Sequence, residues 1–568
     1  MKTLLRMFKF RKQQIKLAIV VASVFGFSKT MLPQAATMLQ DINTGAPNSS
    51  PTLFTYCGGL NCIFFVADNG STGAELWKYD IASSTTSLIK DINSGSGGSG
   101  ITNMILNVTN TGILFNANNG VNGNELWKSD GTTGGTSMIL DINTGTLSSN
   151  PGNFYIYGGV TIFTADNGTN GKEPWLTSGT TAGTSLLKDI NPGVNASDPN
   201  SFTPVSGKLL FRANDGAVGS ELWSTDMTAG GTVLLKDIST GTLSSVPMNF
   251  AAVGTTVFFS ANNGTTGAEL WKSDGTLAGT QLVKDINVGS GGSINVSPGA
   301  KAFFTAYNSN LYFQATDGST GYELWKSDGT SGGTVLVKDI QAGSGSSTPC
   351  GILPTSTNLF FVANDGVNGM ELWTSDGTTG GTTLLKDINP GSASSTTSLT
   401  TFVQGGVGAP IYFAANDGTA GVELWRTLGS AGSTSLTIDL NSGSGSSSPA
   451  SLLAKSTTVY FSATDGVAGI EPWQFDIFAA GINENKSEDI ALKLFPNPNK
   501  GQLYLRSDEE KIELSIYSVL GNKVLEKQLV NSEAKNSTMD LNELSSGIYF
   551  VKIRSGQRET VRKIILSQ

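Results

Sequence analysis

Three observations predict an all-β chain. Glycine accounts for 70 of the 568 residues, with Ser, Thr and Asn abundant beside it, a composition that makes many tight turns and therefore many short strands. All nine tryptophans fall in one Glu-(Leu/Pro)-Trp motif, at Trp77, Trp127, Trp175, Trp223, Trp271, Trp325, Trp373, Trp425 and Trp473, at intervals of 48 to 54 residues. No stretch of the repeat holds a 3.6-residue apolar period, which excludes helical solenoids. Together these features predict a single β-propeller of about nine four-stranded blades, with a small β-sandwich after it.

The chain opens with an export signal. Lys2, Arg6, Lys9, Arg11, Lys12 and Lys16 precede an apolar run from Leu17 to Phe27, the right length for a signal-peptide core and too short to span a bilayer comfortably. Ala35 and Ala36 offer a cleavage site, so residues 1–36 are read as the signal peptide. No other segment has the character of a membrane span, and no integral membrane protein is expected. The formal charge is −9, and losing the first 36 residues removes seven basic residues and no acidic ones, leaving −16. Such acidity argues against a nucleic-acid partner.

The repeat unit is clearest in residues 201–239. Ser201–Ser206 forms a first strand and Leu209–Asn214 a second. Glu221–Asp226 makes the third and Thr232–Ile238 the fourth, with Gly-containing turns between them. A second marker, the Asp of a Lys-Asp-Ile strand, keeps the same period at Asp91, Asp141, Asp189, Asp237, Asp285, Asp339, Asp387 and Asp439. The ninth unit lacks that fourth strand. A near-copy of it stands at the other end of the chain, in Thr37–Gly45, so the N-terminal strand is expected to complete the last blade and leave no unpaired edge there. The longest intervals are taken up by extra residues around Gly289–Asn308 and Gln404–Pro410.

The recurring residues have structural readings. Each Trp is expected to pack between adjacent blades. The glutamates two residues earlier, Glu75 to Glu471, are expected to accept backbone N–H groups of a nearby glycine turn, as a buried acid requires. Five units carry Asp-Gly at the second turn and four carry Asn-Gly, an exchange that suggests turn chemistry. Calcium is the alternative there, with Asp215, Asp317, Asp365, Asp417 and Asp465 as candidate ligands. Cys57 and Cys62 flank a hairpin turn, and a cross-strand disulfide and two free buried thiols both stay open.

Histidine is absent, which removes Ser-His-Asp and Cys-His catalysis and His-ligated zinc. The repeat distributes its acids evenly and shows no distinctive pair for glycoside hydrolysis. No Walker loop, triad serine or metal-spaced cysteine set is present. No catalytic residue and no resident cofactor is therefore expected, and binding residues stay unassigned.

Composition shifts after Asp476. A polar linker spans 477–490, and from residue 491 to 568 alternating apolar runs at Leu503–Leu505, Glu513–Tyr517, Lys523–Gln528, Ile548–Ile553 and Lys563–Leu566 read as a small sandwich. Leu494-Phe495-Pro496-Asn497-Pro498 with Gly501, then Ile516–Gly521, then Leu544–Ile553 including Gly547 and Tyr549, and a terminal Lys563-Ile564-Ile565 resemble the type A C-terminal sorting domain of the type IX secretion system. Residues 37–476 resemble the ELWxxDGT repeat family, as in Glu323–Thr330. Ser178 and Leu428 replace that motif's Asp, while Ile81, Met227 and Ile477 replace its Gly, so the fourth turn of those units is expected to differ.

The sorting resemblance implies passage through the periplasm, engagement of the type IX translocon and a sorting-domain protease, and release or attachment at the bacterial cell surface. The function expected is a secreted or surface-displayed binding and adhesion propeller for an extracellular glycan or protein. The alternatives are a carbohydrate-active enzyme using channel carboxylates and a structural component of a surface matrix.

Overall fold

The structure is a computed structural model and describes residues 36–295, 304–396, 402–406, 408–476, 492–496, 500–507, 509–518, 523–530, 532–555 and 558–566. The expected signal peptide, apart from Ala36, and the expected linker lie outside the described residues. One compact unit spans Gln34–Ile477, and a second contains Phe478–Gln568.

The first unit is a nine-bladed propeller. Eight four-stranded antiparallel sheets follow one another in chain order, and the ninth draws its outer strand from the N-terminus. In the fourth blade the strands are Asn200–Val205, Lys208–Asn214, Ser220–Thr225 and Val233–Lys236, each within a few residues of the reading from sequence. The first strands of successive blades touch one another from blade one to blade seven and from eight to nine. That of blade nine touches that of blade one, so the first strands form the innermost layer and the ring is closed.

Closure takes the expected form with a shorter strand than expected. Only Thr37–Met38 is strand, paired antiparallel with Gln474 and Trp473. Leu39 N–H donates to the Pro472 carbonyl at 2.8 Å. Beyond it the chain leaves the ladder, because Glu471 takes over as the partner of Ile42 and Ser49.

Each gap between blades is filled by side chains from both sides. Trp127 of blade two packs in one cluster with Phe64, Ile89 and Ile92 of blade one, and the pattern repeats around the ring. The lysine of the Lys-Asp-Ile strand adds a contact the sequence did not suggest. Its ammonium lies over the Trp ring of the next blade at 5.5 to 5.9 Å in five junctions, a cation–π geometry. The same ammonium donates to a carbonyl in that blade, as Lys338 does to Thr382 at 2.7 Å. Burying the aliphatic stem while the head finds both partners makes it a strap between blades.

The motif's fourth turn tolerates its departures differently. Its glycine takes a left-handed backbone, φ 83° at Gly131 and 90° at Gly377. In blade four Met227 adopts the same conformation at φ 72°, at a steric cost that glycine avoids. In blade one the residues around Ile81 instead extend the hairpin through the pairs Tyr79–Thr86 and Asp80–Thr85. Ile477 lies outside the described residues. A Cβ on Gly377 would run into the Tyr312 hydroxyl of the preceding blade. Gly377→Ala is therefore expected to destabilise the propeller by about 1–3 kcal/mol, measured as a lower urea midpoint at unchanged slope.

The second unit is a two-sheet sandwich. Leu492–Phe495, Gln502–Ser507 and Asn536–Asp540 form one sheet; Lys523–Val530, Lys511–Ser518, Gly547–Ser555 and Arg558–Leu566 form the other. Its core takes Leu503, Leu505 and Met539 from the first and Ile512, Leu514, Val551 and Ile564 from the second. A single-turn helix, Ser532–Lys535, joins two strands.

Candidate functional site: an even scaffold and its uneven face

The nine glutamates are completely buried and do one job nine times. Each carboxylate bridges the end of the fourth strand to the loop that starts the next blade. Glu125 accepts the Ile142 N–H at 2.8 Å, the Ser149 N–H at 2.8 Å and the Ser149 hydroxyl at 2.6 Å. Glu221 and Glu323 repeat the set with Ile238 and Ser245, and with Ile340 and Ser347. Burial pushes all nine carboxyls up against the pull of these donors. Glu173 and Glu269 reach about 7.

A carboxyl raised in the folded state stabilises the fold fully below its unfolded pKa, near 4.5, and that contribution is lost as pH climbs through the folded value. Glu173 and Glu269 should each withdraw roughly 3 kcal/mol between about pH 5 and pH 8. The melting temperature is expected to fall over that window, and a flat or rising profile would count against the raised carboxyls.

The second turns hold the Asp candidates for calcium. Asp215 Oδ1 accepts the Ala217 and Val218 N–H groups, both at 2.9 Å. Asp317, Asp365, Asp417 and Asp465 do the same two and three residues on. Asn69 and Asn263 fill the identical role. In Asp317 burial opposes ionisation, but N–H and hydroxyl donors from Thr320 and Ser319 outweigh it and hold the carboxyl at about 2. Among the described residues no group of three or more Cys, Asp or Glu is placed to hold a metal ion.

The nine tryptophans are buried at 5 to 7% exposure, inside the blade gaps. The innermost strands carry no carboxylate among the described residues, and Lys455 is their one charged side chain. The acids a channel-based hydrolase needs are thus absent from the strands around the ring's centre. Cys57 and Cys62 stand directly opposite each other at the end of a hairpin, are buried, and carry free thiols. Burial, with Cys57 close by, pushes the Cys62 thiol up to about 12.

Within a blade, the turns that vary most in length are the loops joining first and second strands. They hold two residues in blades three to six and nine, as in Gly158-Gly159. They hold four in blades one and seven, and six in blades two (107–112) and eight (405–410). The long loops brace their neighbours. Gly59 N–H donates to the Asn110 carbonyl at 3.0 Å, and Ser456 N–H to the Gly405 carbonyl at 3.1 Å. Beside the blade-two loop, at the junction with blade three, lies a cleft of about 340 Å³, within the size range of small-molecule sites. Asn107, Val108, Thr109 and Thr111 of that loop line it, together with Lys128 and Asp130 of blade two and Ser178 of blade three.

Within the C-terminal unit, Gly501 has φ 91° and lies against Asn542. The Tyr549 hydroxyl donates to the Ser545 carbonyl at 2.8 Å. Gly547 pairs with Leu566, and the backbone of Lys563 with Phe550. Pro496 follows the strand Leu492–Phe495. Asn497, Pro498 and Gly521 lie outside the described residues.

No curated protein matches the chain. Several solved structures are similar to it at low identity. Puromycin hydrolase is 13% identical over 66% of this chain and 59% of its own, with a TM-score of 0.33, so the chain spans about three fifths of that protein. The β-propeller domain of the trilobed protease from Pyrococcus furiosus, described as having an open velcro topology, is 12% identical over 61% of this chain and 99% of its own, with a TM-score of 0.31. The extracellular domain of the putative one-component system BT4673 from B. thetaiotaomicron is 13% identical over 92% of this chain and 81% of its own, with a TM-score of 0.24. Among the described residues no helix is long and apolar enough to cross a membrane. Residues 493–567 match the secretion system C-terminal sorting domain, and the chain is a type IX secretion cargo sent to the cell surface or the extracellular space.

Proposed function

We propose that the propeller is a binding and adhesion module that works outside the cell on a glycan or a protein. The observation that carries this reading is the contrast between scaffold and loops. Nine blades share the buried glutamate contacts and five junctions share the Lys–Trp contact, while the first-to-second-strand loops range from two to six residues. Variation confined to loops over a rigid framework is how folds carry recognition. The innermost strands carry no carboxylate among the described residues, which gives no support to a channel hydrolase.

The test is binding of the purified mature chain to a glycan array and to extracellular matrix proteins, with and without calcium. Saturable binding to one ligand class is expected. Calcium dependence of that binding would bring Asp215, Asp317, Asp365, Asp417 and Asp465 into the site. Concentration-dependent self-assembly with no saturable ligand would overturn the reading in favour of a matrix component.

A further inference from the structure

The repeat leaves one lysine without the aspartate that lies near its counterparts, and it does so at the cleft between blades two and three. In five blades the residue after Trp is basic: Lys78, Lys128, Lys272, Lys326 and Arg426. Each lysine reaches across the gap to the glycine carbonyl of the next blade's fourth turn, at 3.0 Å for Lys78 to Gly131 and 2.8 Å for Lys272 to Gly329. The position before that glycine, or before the residue replacing it, is an aspartate in seven blades. The Thr132, Thr330 and Thr378 hydroxyls, with Lys78 or Lys272 or Lys326 behind them, hold Asp130, Asp328 and Asp376 below the usual carboxylate range. Arg426 has the same place relative to Asp476.

Lys128 has the place and lacks the acid. Its ammonium reaches the Gly179 carbonyl at a long 3.3 Å, and the carboxylate position is Ser178. The other blade without this aspartate, blade eight with Leu428, faces Thr374 of blade seven, so there both charges are gone together. Ser178 preserves the turn: Gly179 has φ 83°, the value at Gly131, and the Gly183 N–H donates to the Thr180 hydroxyl as the Gly135 N–H does to that of Thr132. The substitution therefore changes the charge at the cleft and leaves the local backbone alone.

We propose that this cleft binds an acidic sugar, with Lys128 pairing the ligand's carboxylate. The proposal rests on the binding reading above and deepens it. The facing wall supplies hydroxyls, with Thr109 and Thr111 oxygens 2.7 Å apart. Val108, 40% exposed, is the apolar side chain the cleft offers to the C–H face of a pyranose. Asp130, also at the cleft, would repel a phosphate dianion but accepts sugar hydroxyls. One cation beside a carboxylate and a row of hydroxyls suits a uronate better than a phosphate.

The test is calorimetry on the full mature chain with glucuronic acid and, in parallel, glucose. Glucuronic acid is expected to bind at least tenfold more tightly than glucose. Ser178→Asp, which restores the residue seven other blades carry, is expected to keep the melting temperature and lose tenfold or more in affinity for glucuronate. Lys128→Gln is expected to lose as much. Equal affinity for the two sugars, no binding of glucuronic acid, or a Ser178→Asp protein that binds like the parent overturns the proposal. An array ligand bound equally by parent and Ser178→Asp protein would leave the binding function standing and this site refuted.

Discussion

Glu471→Ala is expected to cost about 2–4 kcal/mol of propeller stability and to free the N-terminal segment. The side chain accepts the Ile42 N–H at 2.9 Å, the Ser49 N–H at 3.0 Å and the Ser49 hydroxyl at 2.6 Å, all in a completely buried setting. Removing the acceptor orphans the Ile42 N–H, at about 1–3 kcal/mol, and leaves the Ser49 N–H and hydroxyl with only the Ile470 carbonyl, at 3.0 and 3.1 Å. The strand itself cannot compensate, because its ladder is two residues long. Glu221→Ala makes the comparison. It strands the equivalent donors of Ile238 and Ser245, but there the chain runs continuously from the fourth strand into the next blade. Both variants should lose similar unfolding free energy in urea. Only the Glu471 variant should become cleavable by protease between residues 36 and 50 while the rest of the ring stays protected, since only there does one contact set join distant ends of the chain. Equal protection of that segment in both variants would mean that the ladder and apolar packing hold the ring shut without the carboxylate.

The ring and its closure were legible because repetition makes sequence position equivalent to spatial position. Nine Glu-x-Trp motifs fixed the blade count, and the likeness of Thr37–Gly45 to the fourth strands placed the N-terminus beside Glu471. The glutamates' need for donors followed from burial alone, but which donors did not. The serine lies 24 residues downstream, as Ser149 does from Glu125, and nothing local marks it. The Lys–Trp strap escaped for the same reason, since Lys90 and Trp127 belong to different blades. The cleft at Lys128 escaped differently. Ser178 stood out in the sequence as a departure from the motif, and its effect was sought in its own turn. The consequence is one blade away, at a lysine whose counter-charge it removes, and only the blade-to-blade register connects the two.

A chain ending at Asp476 is expected to accumulate in the periplasm and to be absent from the cell surface and the medium. The residues removed include the whole of 493–567, which match the secretion system C-terminal sorting domain. They carry a core of their own, Leu503, Leu505, Ile512, Leu514, Val551 and Ile564 among them, so the part removed is a folded sandwich and not only a short terminal motif. The propeller's clusters are built from residues up to Phe475, and its last strand ends at Asp476, so the shortened chain keeps every closing contact of blade nine. Loss of export would then be a sorting failure and not a folding one, and the retained material should show the parent's resistance to protease. A second variant separates recognition of the fold from recognition of the sequence. Leu514→Asp places a charge in the sandwich core, where an unpaired carboxylate destabilises by several kcal/mol, and it should trap the full-length protein in the periplasm as firmly as truncation does. Normal surface delivery of the Asp476-terminated chain would overturn the assignment of sorting to this domain. Normal delivery of Leu514→Asp alone would show that the translocon reads an extended segment of it.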